Sequence, residues 1–182
     1  MRKMIILDRD GVINHDSDDY IKTPDEWQPI DGRLEAIKRI KKAGYLVTVA
    51  TNQSGVGRGL YSLETLQQMH DKFSRLLEQR GTQIDGIFFC PHLPTENCIC
   101  RKPKPGLLLQ IAQKFDIDLK QTIFVGDTMS DIQAARMVGA TPVLVQTGKG
   151  MRTIEKHGFS EDVRIYTDLA HFARELIRGG EA

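Results

Sequence analysis

The 182-residue sequence has no apolar run approaching the roughly 20 residues that a bilayer-spanning helix requires. It also has no excess of either charge, because 25 Lys and Arg residues balance 24 Asp and Glu residues and leave a formal net charge of +1. A near-neutral chain has no overall field that attracts nucleic acid or an anionic membrane, so neither partner is expected. The amino terminus lacks the apolar core of a signal peptide, which makes a cytoplasmic location the expectation.

Cysteine is scarce, and the three cysteines all lie within residues 90–100. An odd count clustered in one segment is not typical of a disulfide framework and instead indicates a metal site. Internal repeats, low-complexity tracts and domain linkers are also lacking. We therefore predict a single domain over residues 1–182, long enough to bury a sizeable core.

The sequence does contain a regular alternation of apolar runs and helical patterns. The apolar runs predict strands at residues 4–7, 45–50, 86–90, 121–125 and 142–145, and a short last strand that begins near Ile165. Helical spacing of apolar residues predicts helices at residues 34–43, 62–81, 107–115, 130–138 and 169–177. Strands that alternate with helices predict an α/β fold with a doubly wound, Rossmann-like parallel sheet.

The first predicted strand, Met4 to Leu7, ends in two carboxylates, Asp8 and Asp10, followed by Gly11. Ligands of open parallel sheets bind beyond the carboxyl ends of the strands, and residues two apart point the same way. Both carboxylates are therefore expected to face one site. Two carboxylates this close repel each other unless a cation such as Mg2+ lies between them. Taken alone, the pattern is also consistent with ordinary turn chemistry.

Three further strand ends carry polar groups that fit the same site. The second predicted strand is followed by Thr51 and Asn52, which can donate to phosphate oxygens, and the third is followed by Lys102. The fourth is followed by Asp127, with Asp131 one helical turn later. Each residue alone is consistent with a turn, a helix cap or a solvated charge. Together, a carboxylate nucleophile, a second carboxylate, a cation and a lysine favour phosphoryl transfer.

The loop after the third predicted strand has the pattern C-x-H-x5-C-x-C. Three thiolates and one imidazole satisfy tetrahedral zinc, and four protein ligands leave no open position, so the predicted zinc is structural. The alternative is three buried free thiols beside a solvent-facing histidine. A zinc-bound loop would orient the two basic residues that follow it, Arg101 and Lys102. The predicted zinc ligands are Cys90, His92, Cys98 and Cys100.

The strand-end motifs resemble those of the haloacid dehalogenase superfamily, in its phosphatase branch. The resemblance implies that Asp8 attacks phosphorus and forms an aspartyl-phosphate, while Asp10 protonates the leaving oxygen and then activates water. It also implies that Thr51 and Lys102 hold the transferred phosphoryl group. The implied Mg2+ ligands are Asp8, the backbone carbonyl of Asp10 and Asp127, with Asp131 supporting the water shell of the metal.

The zinc loop and three further motifs narrow the resemblance to the family of heptose bisphosphate phosphatases. The three motifs are a TNQSG-x-x-RG run at residues 51–59, a KP-x-PG run at residues 102–106 and a TGKG turn at residues 147–150. That family lacks a large cap domain, and this chain has no insertion long enough for one. The resemblance implies Mg2+-dependent removal of the 7-phosphate of D-glycero-D-manno-heptose 1,7-bisphosphate, for nucleotide-activated heptose and lipopolysaccharide core synthesis. The sequence does not indicate which anomer is used.

Carried over by position, the resemblance also implies which residues bind the substrate. Arg101, beside Lys102, is expected to bind the distal 1-phosphate, because a second phosphate requires a second cationic group. Arg101 is also consistent with a surface charge of the zinc loop. The residues expected to contact the sugar are Asp16, Asp19, Tyr20, Asn52, Gln53 and Ser54.

Other functions stay open at this point. Histidinol-phosphate phosphatase is a close relative, and the loop carboxylates Asp16, Asp18 and Asp19 would suit its cationic substrate. A zinc-dependent binding module without catalysis is disfavoured by the intact carboxylates and lysine. A DNA 3′-phosphatase is disfavoured by the near-neutral charge and the lack of a basic, aromatic-rich stripe. We expect a monomer that acts on a small sugar bisphosphate.

Overall fold

The computed structural model of the protein describes residues 3–159 and 161–180. These residues form a six-stranded sheet in the order β3-β2-β1-β4-β5-β6, and each neighbouring pair of strands is parallel. The order reverses between β1 and β4, which is where ligands of doubly wound sheets bind. The strands are β1 (Met4–Leu7), β2 (Leu46–Asn52), β3 (Gly86–Cys90), β4 (Ile123–Gly126), β5 (Thr141–Val145) and β6 (Arg164–Tyr166).

Helices cover both faces of this sheet, as the predicted fold class requires. They are α1 (Arg33–Lys42), α2 (Ser54–Gly57), α3 (Leu63–Glu78), α4 (Gly106–Phe115), α5 (Met129–Met137), α6 (Gly150–His157) and α7 (Leu169–Gly180). Alternate residues of β1 enter two different cores, since successive side chains of a strand point to opposite faces. Ile5 and Leu7 pack with α1, α3 and α7, whereas Met4 and Ile6 pack with α4 and α5, which explains why β1 is apolar throughout.

Most predicted elements are confirmed, with differences at their ends. β2 continues through Thr51 and Asn52, which pair with Phe89 and Cys90 of β3. The β4 strand begins at Ile123 instead of Gln121, because Leu119–Gln121 forms a 3-10 turn. The helices α2 and α6 were not predicted, since α2 is a single turn and α6 has few apolar positions.

The carboxyl edge of the sheet is left open by the described chain. Loops and the short α2 connect β1 to α1 and β2 to α3, so no large cap domain covers the site. Among the described residues, no helix combines the length and apolar character needed to cross a bilayer.

Candidate active site

The carboxyl ends of the strands surround a cavity of about 290 Å³. All but one of the site residues predicted outside the zinc loop line it, so residues far apart in sequence are brought together. The exception is Asp19, which is exposed and not among the lining residues. The predicted residues that do line the cavity are Asp8, Asp10, Asp16, Tyr20, Thr51, Asn52, Gln53, Ser54, Arg101, Lys102, Asp127 and Asp131.

Lys102 is a buried cation at the centre of this cavity. Its ammonium Nζ lies 2.6 Å from Asp131 Oδ1 and 3.0 Å from Asp8 Oδ1, and it donates to the Ala50 carbonyl at 2.8 Å. Burial works against the charged amine, but the carboxylates of Asp131 and Asp8 outweigh burial and raise the pKa of Lys102. The ammonium is therefore charged at neutral pH and held beside Asp8.

Asn52 holds the loop that carries Lys102. Its side-chain Nδ2 donates to the Lys102 carbonyl at 3.0 Å, and its Oδ1 accepts from the Lys102 backbone amide at 3.0 Å. This reciprocal pair joins the end of β2 to the segment after β3. Asn52 was predicted to contact the sugar, and its amide already holds the backbone of Lys102.

Three carboxylates crowd the same end of the cavity. Oxygens of Asp8, Asp127 and Asp131 all lie within 4.8 Å of one another. Burial, and then repulsion by the Asp131 carboxylate, raises the pKa of Asp8 to about 7. Burial, and then the Asp8 and Asp131 charges, raises the pKa of Asp127 well above its ordinary value. Such crowding is relieved when a divalent cation binds between the carboxylates.

The donor atoms of this cluster fit Mg2+. Asp127 Oδ1 is buried and has no hydrogen-bond partner among the described residues, while its Oδ2 accepts from the Lys149 backbone amide at 2.8 Å. A buried carboxylate oxygen without a donor is suited to a hard cation. Asp131 differs, because its Oδ1 is bonded to Lys102 and its Oδ2 accepts from Thr128 at the start of α5. Both oxygens of Asp131 are therefore already hydrogen-bonded, and its predicted support of the water shell of the metal stays a prediction.

Asp10 is held from several sides. Arg9 forms an ion pair with it at 2.9 Å, Asn14 Nδ2 donates to it at 2.8 Å, and Gln53 Nε2 donates to it at 2.8 Å. Burial opposes ionisation, but the Arg9 charge and these hydrogen bonds lower the pKa of Asp10. Gln53 also donates to Thr51 Oγ1 at 2.9 Å, so one amide joins the ends of β1 and β2.

Gly11 and Gly148 allow two turns to meet against Asp127. Gly11 has φ of 84°, and a Cβ there would lie 2.2 Å from Asp127 Oδ2. A Cβ on Gly148, with φ of 59°, would lie 2.3 Å from the same oxygen. Thr147 Oγ1 closes the contact by donating to the Gly11 carbonyl at 2.6 Å. Only glycine fits at either position without displacing the carboxylate.

The open side of the cavity is bordered by the loop at residues 15–20. Asp16 forms an ion pair with Lys149 at 3.2 Å, and Asp18 forms one with Arg152 at 3.1 Å. Arg58 stacks over the Tyr20 ring, with 5.8 Å from the guanidinium carbon to the ring centroid. The lining residues that sequence reasoning did not assign are Ile21, Tyr61, Thr128, Ser130 and Lys149.

The predicted zinc ligands form a compact cluster beside this cavity. The sulfur–sulfur distances are 3.0 Å for Cys90–Cys100 and 3.5 Å for both Cys90–Cys98 and Cys98–Cys100. His92 Nδ1 lies 3.4 Å from Cys90 Sγ and 3.2 Å from Cys100 Sγ. Ligands about 2.3 Å from a tetrahedral zinc lie about 3.7 Å apart. The four donors therefore surround a point that a zinc ion fits.

Comparisons with known proteins agree with this geometry. A family model described as HAD-hydrolase-like matches residues 99–172. The D-glycero-beta-D-manno-heptose-1,7-bisphosphate 7-phosphatase of Pseudomonas putida is 55% identical over 175 residues, covering 96% of this chain and 99% of that protein. The protein of that name from Bordetella bronchiseptica is 49% identical, covering 97% and 98%. The crystal structure of D,D-heptose 1,7-bisphosphate phosphatase from B. bronchiseptica, complexed with magnesium and phosphate, has a TM-score of 0.94 at 47% identity, covering 98% of this chain and 99% of that chain.

Proposed function

The chain belongs to the family of D-glycero-beta-D-manno-heptose-1,7-bisphosphate 7-phosphatases within the haloacid dehalogenase-like hydrolases, and we propose that it removes the 7-phosphate of the β anomer. The observation that carries this proposal is the pairing of Asp8 with the buried Lys102 at the carboxyl edge of the sheet, beside a carboxylate cluster that fits Mg2+. The β anomer follows the names of the relatives. The product, heptose 1-phosphate, suits nucleotide-activated heptose and lipopolysaccharide core synthesis.

Each protein residue has a distinct part in the proposed reaction. Asp8 forms a bond to phosphorus as the bond from phosphorus to the sugar oxygen breaks. Asp10 is ionised in the unliganded protein, so it takes up a proton as the phosphorylated substrate binds and gives that proton to the leaving sugar oxygen; it later takes one from the water that hydrolyses the aspartyl-phosphate. Lys102 and Thr51 bind the phosphoryl oxygens.

Mg2+, when bound, neutralises the charge that develops on those oxygens. Asp8, the carbonyl of Asp10 and Asp127 are the residues proposed to hold it, with Asp131 supporting them. Zn2+ bound to the Cys90, His92, Cys98 and Cys100 cluster is proposed to be structural.

Side chains around the open cavity are proposed to select the substrate. Arg101 lines the cavity next to Lys102 and is proposed to bind the 1-phosphate. Asp16, Tyr20, Asn52, Gln53 and Ser54 are proposed to contact the sugar. A histidinol phosphate substrate is less well matched, since Asp16 and Asp18 already pair with Lys149 and Arg152.

We also propose that the protein is a monomer and that it works in the cytoplasm. No disulfide joins the three cysteines among the described residues, which is consistent with a reducing compartment and leaves their sulfurs available to zinc. Light scattering after size exclusion should give the mass of one 20.5 kDa chain. A mass of two chains would overturn the monomer.

The direct test is phosphate release in the presence of Mg2+. The α and β heptose 1,7-bisphosphates are compared with histidinol phosphate, each at subsaturating concentration, so that the ratio of rates reports kcat/KM. We expect the β bisphosphate to be the preferred substrate. Preference for the α anomer would change the pathway, and preference for histidinol phosphate would overturn the substrate while leaving the phosphatase chemistry in place.

A further inference from the structure

A buried arginine and histidine lie behind the Asp10 carboxylate and have no part in the proposed chemistry. Arg9 is 1% exposed, and His70 of α3 is 4% exposed. Charged side chains are rarely buried this deeply unless they are paired. Arg9 Nη2 donates to both oxygens of Asp10, at 2.9 and 3.1 Å, and Arg9 Nε donates to Oδ1 at 3.1 Å. The guanidinium therefore grips the carboxylate from one side.

The other end of the Arg9 guanidinium is held by His70. Arg9 Nη1 lies 3.2 Å from His70 Nε2, and Nε2 must be the acceptor because arginine has only donors. The His70 ring packs against Phe89, with 6.0 Å between the ring centroids. Burial, and then the Arg9 charge, lowers the pKa of His70 to about 3. The imidazole is therefore neutral and able to accept at neutral pH.

We propose that Arg9 and His70 are positioning residues for Asp10: His70 aims the Arg9 guanidinium, and the guanidinium fixes the direction of the Asp10 carboxylate. This inference rests on the proposed function, in which Asp10 protonates the leaving sugar oxygen. A general acid contributes only while it lies within hydrogen-bond reach of the atom that it protonates. A displacement of about 1 Å can cost about 100-fold in rate.

The two other side-chain donors to Asp10 do not replace this grip. Asn14 and Gln53 each supply one hydrogen bond to the carboxylate, at 2.8 Å. Arg9 supplies three donor contacts in a planar fork, which sets the plane of the carboxylate as well as its position. Loss of the His70 acceptor should therefore let the guanidinium, and with it Asp10, leave the productive direction.

The test compares two substrates that differ in their need for an acid. The heptose β-1,7-bisphosphate loses an alkoxide that must be protonated, whereas p-nitrophenyl phosphate loses a stable phenolate. For His70→Leu, which removes the acceptor, we expect kcat/KM for the bisphosphate to fall by about 10-fold or more, and kcat/KM for the aryl phosphate to change by less than about 3-fold. His70→Gln keeps an acceptor and should recover most of the loss.

Two further variants make the outcome decisive. Phe73→Leu alters the same helix and the same core without touching Asp10, so any loss should be equal for both substrates. Arg9→Met should show the same selective loss as His70→Leu. If thermal unfolding shows that Arg9→Met is not folded, the two His70 variants alone test the positioning role. Equal losses on both substrates for His70→Leu, or no loss at all, would overturn the positioning role.

Asp10→Asn separates failure of this inference from failure of the proposed function. If Asp10→Asn lowers kcat/KM for the bisphosphate but changes kcat/KM for the aryl phosphate little, Asp10 is the acid and the His70 result is a test of positioning alone. If Asp10→Asn loses both activities equally in kcat/KM, the acid role of Asp10 in the proposed function fails, and the inference fails with it.

Discussion

At the scale of single residues, Asp8 is the proposed nucleophile, and its buried position beside Asp131 disfavours its ionised form. Asp8→Asn should abolish phosphate release, because an amide is not a nucleophile toward phosphorus. The same change removes one of three crowded carboxylates, so the metal-free variant should melt at a higher temperature than the metal-free parent, by about 2–4 °C for each kcal/mol gained. Turnover and calorimetry on the same samples measure both effects. Substantial residual turnover would exclude Asp8 as the nucleophile.

Arg101 lines the cavity beside Lys102 and is proposed to bind the 1-phosphate at the far end of the substrate. Arg101→Ala should raise KM for the heptose bisphosphate by about 10-fold or more, the equivalent of one lost hydrogen bond to a charged group. The KM of a sugar monophosphate should change far less, since that substrate has no second phosphate. Steady-state kinetics on both substrates measure the difference. An equal rise in both KM values would contradict the distal-phosphate role.

The site residues differ in how readily the sequence predicts their place in the site. Asp8, Lys102 and Asp127 follow apolar strands, so their convergence can be predicted from the rule that parallel strands end at one edge. The contact between Arg9 and His70 cannot be found this way, because His70 lies within α3 and not at the end of a strand. His70 occupies an apolar position of the helical pattern, and such a position predicts burial but not a partner.

At the scale of elements, the loop of the predicted zinc ligands, residues 90–100, runs directly into the segment that carries Arg101 and Lys102. Cys100 is close in sequence to Lys102, whose backbone is clasped by Asn52. Cys98→Ser should lower the zinc content, lower the melting temperature and raise KM, because the loop no longer holds Arg101 and Lys102 in place. Thr95→Ala, an exposed position in the same loop that is not a ligand, is the matched control. Unchanged kinetics in a zinc-free Cys98→Ser protein would show that zinc binding does not position Arg101 and Lys102.

The elements that sequence patterns predicted best are those with a strong apolar period. α3 begins where expected, since Ser62 accepts from the Thr65 amide at 3.0 Å as its N-cap. α6 was missed because it has few apolar positions, and the turn that precedes it is held by contacts of Thr147 with Gly11 and of Lys149 with Asp127. Long-range contacts of this kind have no signature in a local window.

At the scale of the whole molecule, the open sheet edge leaves the carboxylate cluster accessible to protons and to metal alike. The raised pKa of Asp8, about 7, and the raised pKa of Asp127 mean that both hold protons more tightly in the folded metal-free protein than in the unfolded chain. Their contribution to stability is present below 3.8, the ordinary pKa of an aspartate, and is lost as the pH rises toward about 7. His70, with its lowered pKa, changes stability in the opposite direction.

Mg2+ that binds the same carboxylates must displace these protons, so its stabilising effect should depend on pH. We expect the rise in melting temperature caused by saturating Mg2+ to be larger at about pH 8 than at about pH 5.5, since metal affinity falls when its ligands are protonated. His70 contributes equally with and without the metal, so its effect cancels from the difference. Asp127→Asn, which removes one crowded carboxylate, should show a small and nearly pH-independent response. Equal Mg2+-induced shifts at both pH values in the parent protein would contradict a metal site at Asp8 and Asp127.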